Sequence, residues 1–82
     1  MNKTDLEIFI FENKLDIINH AYKIGVEFVD NKKELRRKLM YLITKCEIQF
    51  IKFLLNNNFN INKDLDIRKV ALFLFNFYEF NL

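Results

Sequence analysis

The chain carries few of the residues on which nucleophilic catalysis depends. It contains no serine, and Cys46 and His20 are its one thiol and one imidazole. Cys46 falls on the apolar stripe of a predicted helix, where a cysteine normally behaves as a small hydrophobe. His20 follows Asp16 by four residues, a spacing typical of a local pair on a helix surface. The sequence therefore predicts that the chain is not an enzyme.

The chain also lacks the residues that a metal site or a phosphate-binding loop needs. A structural zinc site takes four ligands, usually Cys or His, and the chain has one of each. Glu12 and Asp16 lie one helical turn apart, but no Glu-x-x-His motif of a di-metal bundle accompanies them. With Gly25 as the only glycine, a glycine-rich phosphate loop cannot form. We therefore expect neither a metal nor another cofactor.

The strongest polar pattern is a run of cations in the middle of the chain. Residues 31–55 hold seven basic residues against two acidic ones, net +5, whereas residues 1–30 have a net charge of −3. We call the following residues the basic face: Lys32, Lys33, Arg36, Arg37, Lys38, Lys45 and Lys52. Such a row suits the phosphates of a nucleic acid or ribonucleoprotein, or an acidic protein surface. The alternative is a solvated face that compensates an acidic first helix beside it.

These cations belong to a segment predicted to form one long central helix, Lys32 to Leu55. The segment lacks Pro and Gly, and Asn31 with Glu34 fits a capping box at its start. Asn56 to Asn58 should end it, because Asn tolerates the left-handed conformation of a C-cap. Its apolar residues recur at helical spacing and predict one buried stripe: Leu35, Leu39, Leu42, Ile43, Cys46, Phe50, Phe53 and Leu54.

A helix is predicted on each side of the central one. The first should begin at Asp5, behind Thr4 as its cap, and end at Gly25. Its main apolar stripe is Ile8, Phe11, Leu15, Ile18 and Tyr22, widened by Leu6, Ile10, Ile17, Ala21 and Ile24. The last should run from Leu65 to about Phe80 behind Asp64, with the stripe Ile67, Val70, Ala71, Leu74, Phe77 and Tyr78. The prediction is one all-α domain over residues 1–82, a small bundle of three main helices.

The chain has more apolar residues than the core of so small a domain can bury. Hydrophobic residues make up 51% of it, with ten Phe, yet a domain of this size buries only about 60% of its unfolded surface. From Val70 to Phe80 only two residues are polar. Leu72, Phe73 and Phe80 diverge from the stripe of the last helix. They are predicted to form either a homodimer contact or the surface for a protein partner.

A shift along the chain by the period of ankyrin repeats, about 33 residues, superposes similar residues. It places Leu6 on Leu39 and Leu72, and it places Ile18 on Ile51. We call this displacement the repeat shift. The segment Ile51 to Asn62 resembles the end of such a repeat, with Leu54 and Leu55 as its Leu pair and Asn62 as its closing Asn.

The ankyrin-like motifs are degenerate. The TPLH tetrapeptide is missing, and Cys46, Asn58 and Ile67 stand where the repeat usually has its turn glycines. What the resemblance implies is an alternative fold, a short helical-repeat solenoid, and a protein-binding scaffold.

These observations predict a non-catalytic protein-binding module in the cytoplasm. The single Cys excludes an intrachain disulfide, acidic residues interrupt the N-terminal apolar run of a signal peptide, and no apolar span is expected to cross a bilayer. Richness in Asn, Lys, Ile and Phe suggests an AT-rich coding sequence. One concrete form is a phage- or mobile-element-encoded inhibitor of a bacterial defence system, of the anti-CRISPR type. The alternative is a small regulator that binds DNA or RNA through the basic central helix.

Overall fold

A computed structural model describes residues 3–82, and these residues form five helices and no strand. The helices are α1 (Lys3–Gly25), α2 (Lys32–Lys45), α3 (Glu47–Asn56), α4 (Ile61–Asp64) and α5 (Ile67–Phe80). Helices α1, α2 and α5 pack against one another, and α3 packs against α1 and α5. The predicted all-α helical bundle is therefore confirmed.

The helix ends show which local signals act. Asn31 caps α2 as predicted, because its side-chain Oδ1 accepts from the Glu34 backbone N–H at 3.0 Å. Asn58, just beyond α3, has a φ of 63°, which is the predicted left-handed conformation. The prediction for the last helix is wrong by two residues. Asp66 and not Asp64 is the N-cap, and it accepts from the Lys69 N–H at 2.8 Å.

The prediction of one long central helix is also wrong, because the segment is broken at Cys46 into α2 and α3. Cys46 has φ −111° and ψ 30°, outside the α-helical region. A straight helix over residues 32–55 would be about 36 Å long, whereas the 14 residues of α5 span about 21 Å. The break allows α3 to pack on α5, and it keeps Phe50 and Leu54 in the core.

A similar backbone irregularity lies one repeat shift earlier, inside α1. Asn13 has φ −118° and ψ 18°, and its side-chain Nδ2 donates to the Phe9 carbonyl at 2.8 Å. Several pairs of residues related by the same shift are buried in both copies: Leu6 and Leu39, Ile10 and Ile43, Ile17 and Phe50, Ile18 and Ile51, Ala21 and Leu54. Helix α1 and the α2–α3 pair therefore share one interior pattern.

This correspondence does not arrange the helices as a linear stack. In a solenoid each repeat contacts only its neighbours, yet α1 at the start of the chain packs extensively on α5 at its end. The arrangement is thus the bundle and not the alternative solenoid. The sequence similarity to ankyrin repeats stays a prediction.

The predicted main stripe of α1 is only partly the one that is buried. Ile8, Phe11 and Leu15 are 50%, 73% and 67% exposed. The core side of α1 contains Ile18 of the predicted main stripe, and otherwise residues that are predicted only to widen the stripe: Leu6, Ile10, Ile17 and Ala21. The helix has apolar residues around much of its circumference, and only those that face α2 and α5 are covered.

Gly25 ends α1 as predicted, but not for the predicted reason. Its φ is not positive, so Gly25 does not form a left-handed cap. A Cβ at this position would lie 2.8 Å from Phe75 Cε1 and 2.9 Å from Leu35 Cδ2. Gly25 is needed because a side chain there would clash where α1, α2 and α5 meet.

Within residues 3–82, helix α5 packs against α1, α2 and α3 instead of the two neighbours expected for a terminal helix, since the break at Cys46 creates α3. Its predicted stripe is confirmed in its main part. Val70, Ala71, Leu74, Phe77 and Tyr78 are buried, Ile67 is half-buried, and Phe75 is buried as well.

Candidate protein-interaction groove

An aromatic groove lies between α3 and the C-terminal half of α5. Phe53 on α3 is half-buried, and its ring centroid lies 5.2 Å from that of Phe77, 6.0 Å from Phe80 and 6.4 Å from Phe73. Helical spacing places Phe73, Phe77 and Phe80 on one side of α5, because they stand at i, i+4 and i+7. Phe80 is 80% exposed although its ring contacts Phe53. We call this surface the aromatic groove.

The rim of the aromatic groove is polar and carries one charge. Its members are Gln49, Lys52, Asn56, Asn57, Asn76 and Asn81. Asn57 and Asn81 are held by the helix ends, since their Nδ2 atoms donate to the carbonyls of Phe53 and Phe77 at 2.7 and 2.8 Å. Among residues 3–82, the lining thus combines phenyl rings, carboxamides and one ammonium group, without an acidic residue.

The structure divides the three predicted interface residues between two surfaces. Phe73 and Phe80 both line the aromatic groove, where Phe73 also contacts Phe59 edge to face at 5.5 Å. Leu72 is 42% exposed but lies on another flank of α5, in a shallow depression that it shares with His20 and Lys69. A single contact surface formed by all three residues is therefore not present.

The N-terminal part of the basic face is a shallow depression beside α1. It is lined by Tyr22, Lys32, Lys33, Arg36, Arg37 and Met40. Arg36 donates to Asn19 Oδ1 at 3.0 Å, and its guanidinium lies 5.5 Å from the centroid of the Tyr22 ring. Arg37 pairs with Glu34 of its own helix. Arg36 therefore contacts α1 through an amide and an aromatic ring.

Lys45 and Lys52 lie on the two sides of the break between α2 and α3, and Lys38 lies earlier on α2. Lys45 and Lys52 line a concavity with Tyr41 and Ile48, which are 52% and 60% exposed. Lys38 is half-buried, with its Nζ 5.8 Å from the centroid of the Tyr41 ring. Lys52 also belongs to the rim of the aromatic groove. The basic face and the aromatic groove consequently meet at Lys52.

One apolar surface was missed because its residues had been assigned to the core. Ile8, Phe11 and Leu15 form a row on the exposed side of α1, which we call the outer row. Exposed Glu12 and Asp16 and half-buried Glu7 flank it. The available signal was the width of the apolar sector of α1, which exceeds what one buried face requires.

The residues considered for catalysis lie on different surfaces. His20 lines depressions with Arg68 of α5, whereas Cys46 lines the concavity at the α2–α3 break. Within residues 3–82, no group of three or more His, Cys, Asp or Glu could hold a metal ion. No helix in the same part of the chain is both long and apolar enough to cross a membrane. No protein-family model, curated protein or solved structure matches this chain.

Proposed function

We propose that the chain is a non-catalytic protein-binding module whose partner occupies the aromatic groove. The observation that carries this proposal is the exposure of Phe80 beside the half-buried Phe53 and Phe73. Fully burying an exposed Phe side chain contributes about 1.5–3 kcal/mol, from which the entropy cost of association is subtracted. Clustered aromatic residues inside a polar rim are also the composition of an interface centre.

The chemistry of the lining supports binding of a polypeptide. Burial of a phenyl ring against any apolar side chain is favourable, because it removes apolar surface from water. The carboxamides of Asn56, Asn57 and Asn76 can each donate and accept, so they can pair with peptide groups. The partner should therefore present apolar anchors on a peptide backbone.

Size and composition support a proposal for the biological setting of this module. We propose a cytoplasmic inhibitor encoded by a phage or mobile element, directed against a bacterial defence system in the manner of an anti-CRISPR protein. This part of the proposal rests on the sequence composition and not on the groove.

A matched pair of variants tests the binding module. Phe80→Ser removes an exposed ring from the groove, and Phe28→Ser removes a ring of similar exposure, 72%, from the loop after α1. The purified chain is immobilised and used for capture from cells of its native host. We expect wild type and Phe28→Ser to retain the same protein, and Phe80→Ser to lose it with an unchanged circular dichroism spectrum. Capture that is equal for all three would contradict the proposal.

A second candidate function is regulation through DNA or RNA contact. It is favoured by the four exposed cations at the start of α2, Lys32, Lys33, Arg36 and Arg37, which lie beside Tyr22. Affinity from phosphate contacts falls steeply with salt concentration, because counterions are released. Fluorescence anisotropy with duplex DNA and with RNA at several salt concentrations separates this function from the protein-binding module, which predicts no such titration.

A further inference from the structure

The outer row of α1 has the spacing and charge that the aromatic groove requires. We infer that a second copy of this chain occupies the groove, so that the outer row of one molecule docks into the aromatic groove of the next. This inference rests on the proposed binding function of the groove and names its partner.

The spacing of the outer row is that of a helix that lies in a groove. Ile8, Phe11 and Leu15 stand at i, i+3 and i+7, the positions at which such helices carry their anchors. The kink at Asn13 does not turn the row inwards. Residues buried before it (Leu6, Ile10) and after it (Ile17, Ala21) follow the spacing of one helical face, and the outer row lies opposite that face.

The charges around the two surfaces are complementary. Acidic Glu12 and Asp16 flank the outer row, with Lys14 beside Phe11, its Nζ 5.8 Å from the ring centroid. In the part of the chain that the structure describes, the groove rim has Lys52 as its only charged member, and the adjoining concavity holds both Lys45 and Glu47. An acidic apolar helix therefore fits the groove better than a basic one does.

Symmetric contacts between two copies are less favourable. Two outer rows face to face would bring carboxylates together, and two grooves face to face would bring two Lys52 ammonium groups together. Like charges opposed across an interface cost binding free energy. The head-to-tail contact avoids both, because it joins unlike surfaces.

A head-to-tail contact has a defined consequence for assembly. Each molecule exposes one outer row and one groove, so both can be used at once. The contact can then repeat from molecule to molecule and gives an open chain, or a ring if the rotation closes. Self-association should consequently grow with concentration beyond a dimer and weaken with added salt.

Sedimentation of two complementary variants tests the inference. Phe11→Ser removes the central anchor of the outer row and leaves the groove, whereas Phe80→Ser alters the groove and leaves the row. The wild-type mass is expected to rise with concentration, and each variant alone should associate at least tenfold more weakly. An equimolar mixture of the two should form a one-to-one complex, because one intact row can still meet one intact groove.

The other outcomes overturn the inference. Wild-type-like association of Phe11→Ser excludes the outer row, and the same result for Phe80→Ser excludes the groove. A mixture that fails to associate shows that an intact outer row on one molecule does not bind an intact groove on another, and it overturns the head-to-tail contact. If either variant loses its circular dichroism spectrum, Leu15→Gln and Lys52→Glu replace them with the same expectations. A wild type that stays monomeric at every concentration removes self-docking but leaves the proposed binding module to its own capture test.

Discussion

Helix α1 and the α2–α3 pair bury residues at equivalent positions, but their solvent-exposed sides carry opposite charge. Under the repeat shift their buried positions coincide, as with Leu6 and Leu39 or Ala21 and Leu54. Their solvent sides differ, since α1 carries the acidic outer row whereas α2 and α3 carry the basic face. The comparison teaches that packing specifies the interior of both segments and leaves their surfaces free to acquire complementary charge.

The two segments also bend at equivalent positions by different means. The backbone angles of Asn13 and Cys46 are similar, with φ −118° and ψ 18° at Asn13 and φ −111° and ψ 30° at Cys46. Asn13 stabilises its bend by the hydrogen bond to the Phe9 carbonyl, whereas the thiol of Cys46 makes no cap hydrogen bond to α3. The bend at Cys46 is thus imposed by packing and not by its own side chain.

The largest effect is expected in the core of α2, at a buried residue whose counterpart in α1, Phe9, is only half-buried. Leu42→Ala should lower the free energy of unfolding by about 2–5 kcal/mol, because it leaves a cavity at a site that is 3% exposed. For a domain whose total stability is about 5–15 kcal/mol, this is a large fraction. Urea denaturation measures it, with exposed Ile8→Ala on the outer row as the matched control. A loss below about 1 kcal/mol would show that Leu42 does not support the core.

The next largest effects on stability have opposite signs at two positions related by the repeat shift, Gly25 at the end of α1 and Asn58 after α3. Gly25→Ala should destabilise the chain by about 1–3 kcal/mol, because Phe75 and Leu35 are buried and have no room to move. Asn58, one repeat shift later, has a φ of 63°, so Asn58→Gly should stabilise by up to about 1 kcal/mol. Thermal unfolding of both variants tests the pair. Equal signs would show that close packing does not distinguish Gly25 from Asn58.

A smaller effect is expected at the two bends. Asn13→Ala should cost about 0.5–1.5 kcal/mol, since it removes the hydrogen bond to the Phe9 carbonyl. Cys46→Asn should gain up to about 1 kcal/mol, because an Asn there can donate to the Leu42 carbonyl four residues earlier. Chemical denaturation measures both, and Cys46→Ala serves as the control without a donor. A Cys46→Asn variant no more stable than Cys46→Ala would refute the equivalence of the bends.

The smallest effect on stability concerns the basic face. Replacing Arg36, Arg37 and Lys38 together with Gln should change the free energy of unfolding by only about 0.5 kcal/mol, because Arg36 and Arg37 are exposed, Lys38 is half-buried, and charges and ion pairs at the surface contribute little. If these cations meet an acidic partner or phosphates, affinity should fall and its dependence on salt should flatten. Titration at several salt concentrations measures this, and unchanged affinity at low salt would remove the three residues from any functional role.

Periodicity alone predicted most of the fold. The stripes of the central and last helices and the Asn31 cap follow from local spacing and local hydrogen bonds. The bend at Cys46 and the exposure of Phe11 do not, because they depend on which neighbour covers each side of a helix. Only part of the groove lining was predicted. Phe73 and Phe80 could be named because they deviate from the stripe of the last helix. Phe53 lies on the stripe of the central helix and was therefore assigned to the core.

The amides of Asn57 and Asn81 are held in fixed orientations at the groove rim. Each amide nitrogen donates one of its two hydrogens to a carbonyl of its own helix, that of Phe53 or Phe77. The oxygen and the second hydrogen of each amide then remain for a bound molecule. At these two points of the rim, an occupant that presents an N–H beside a carbonyl, as a peptide backbone does, can pair with both atoms, whereas an occupant with only one kind of group leaves the other atom to water.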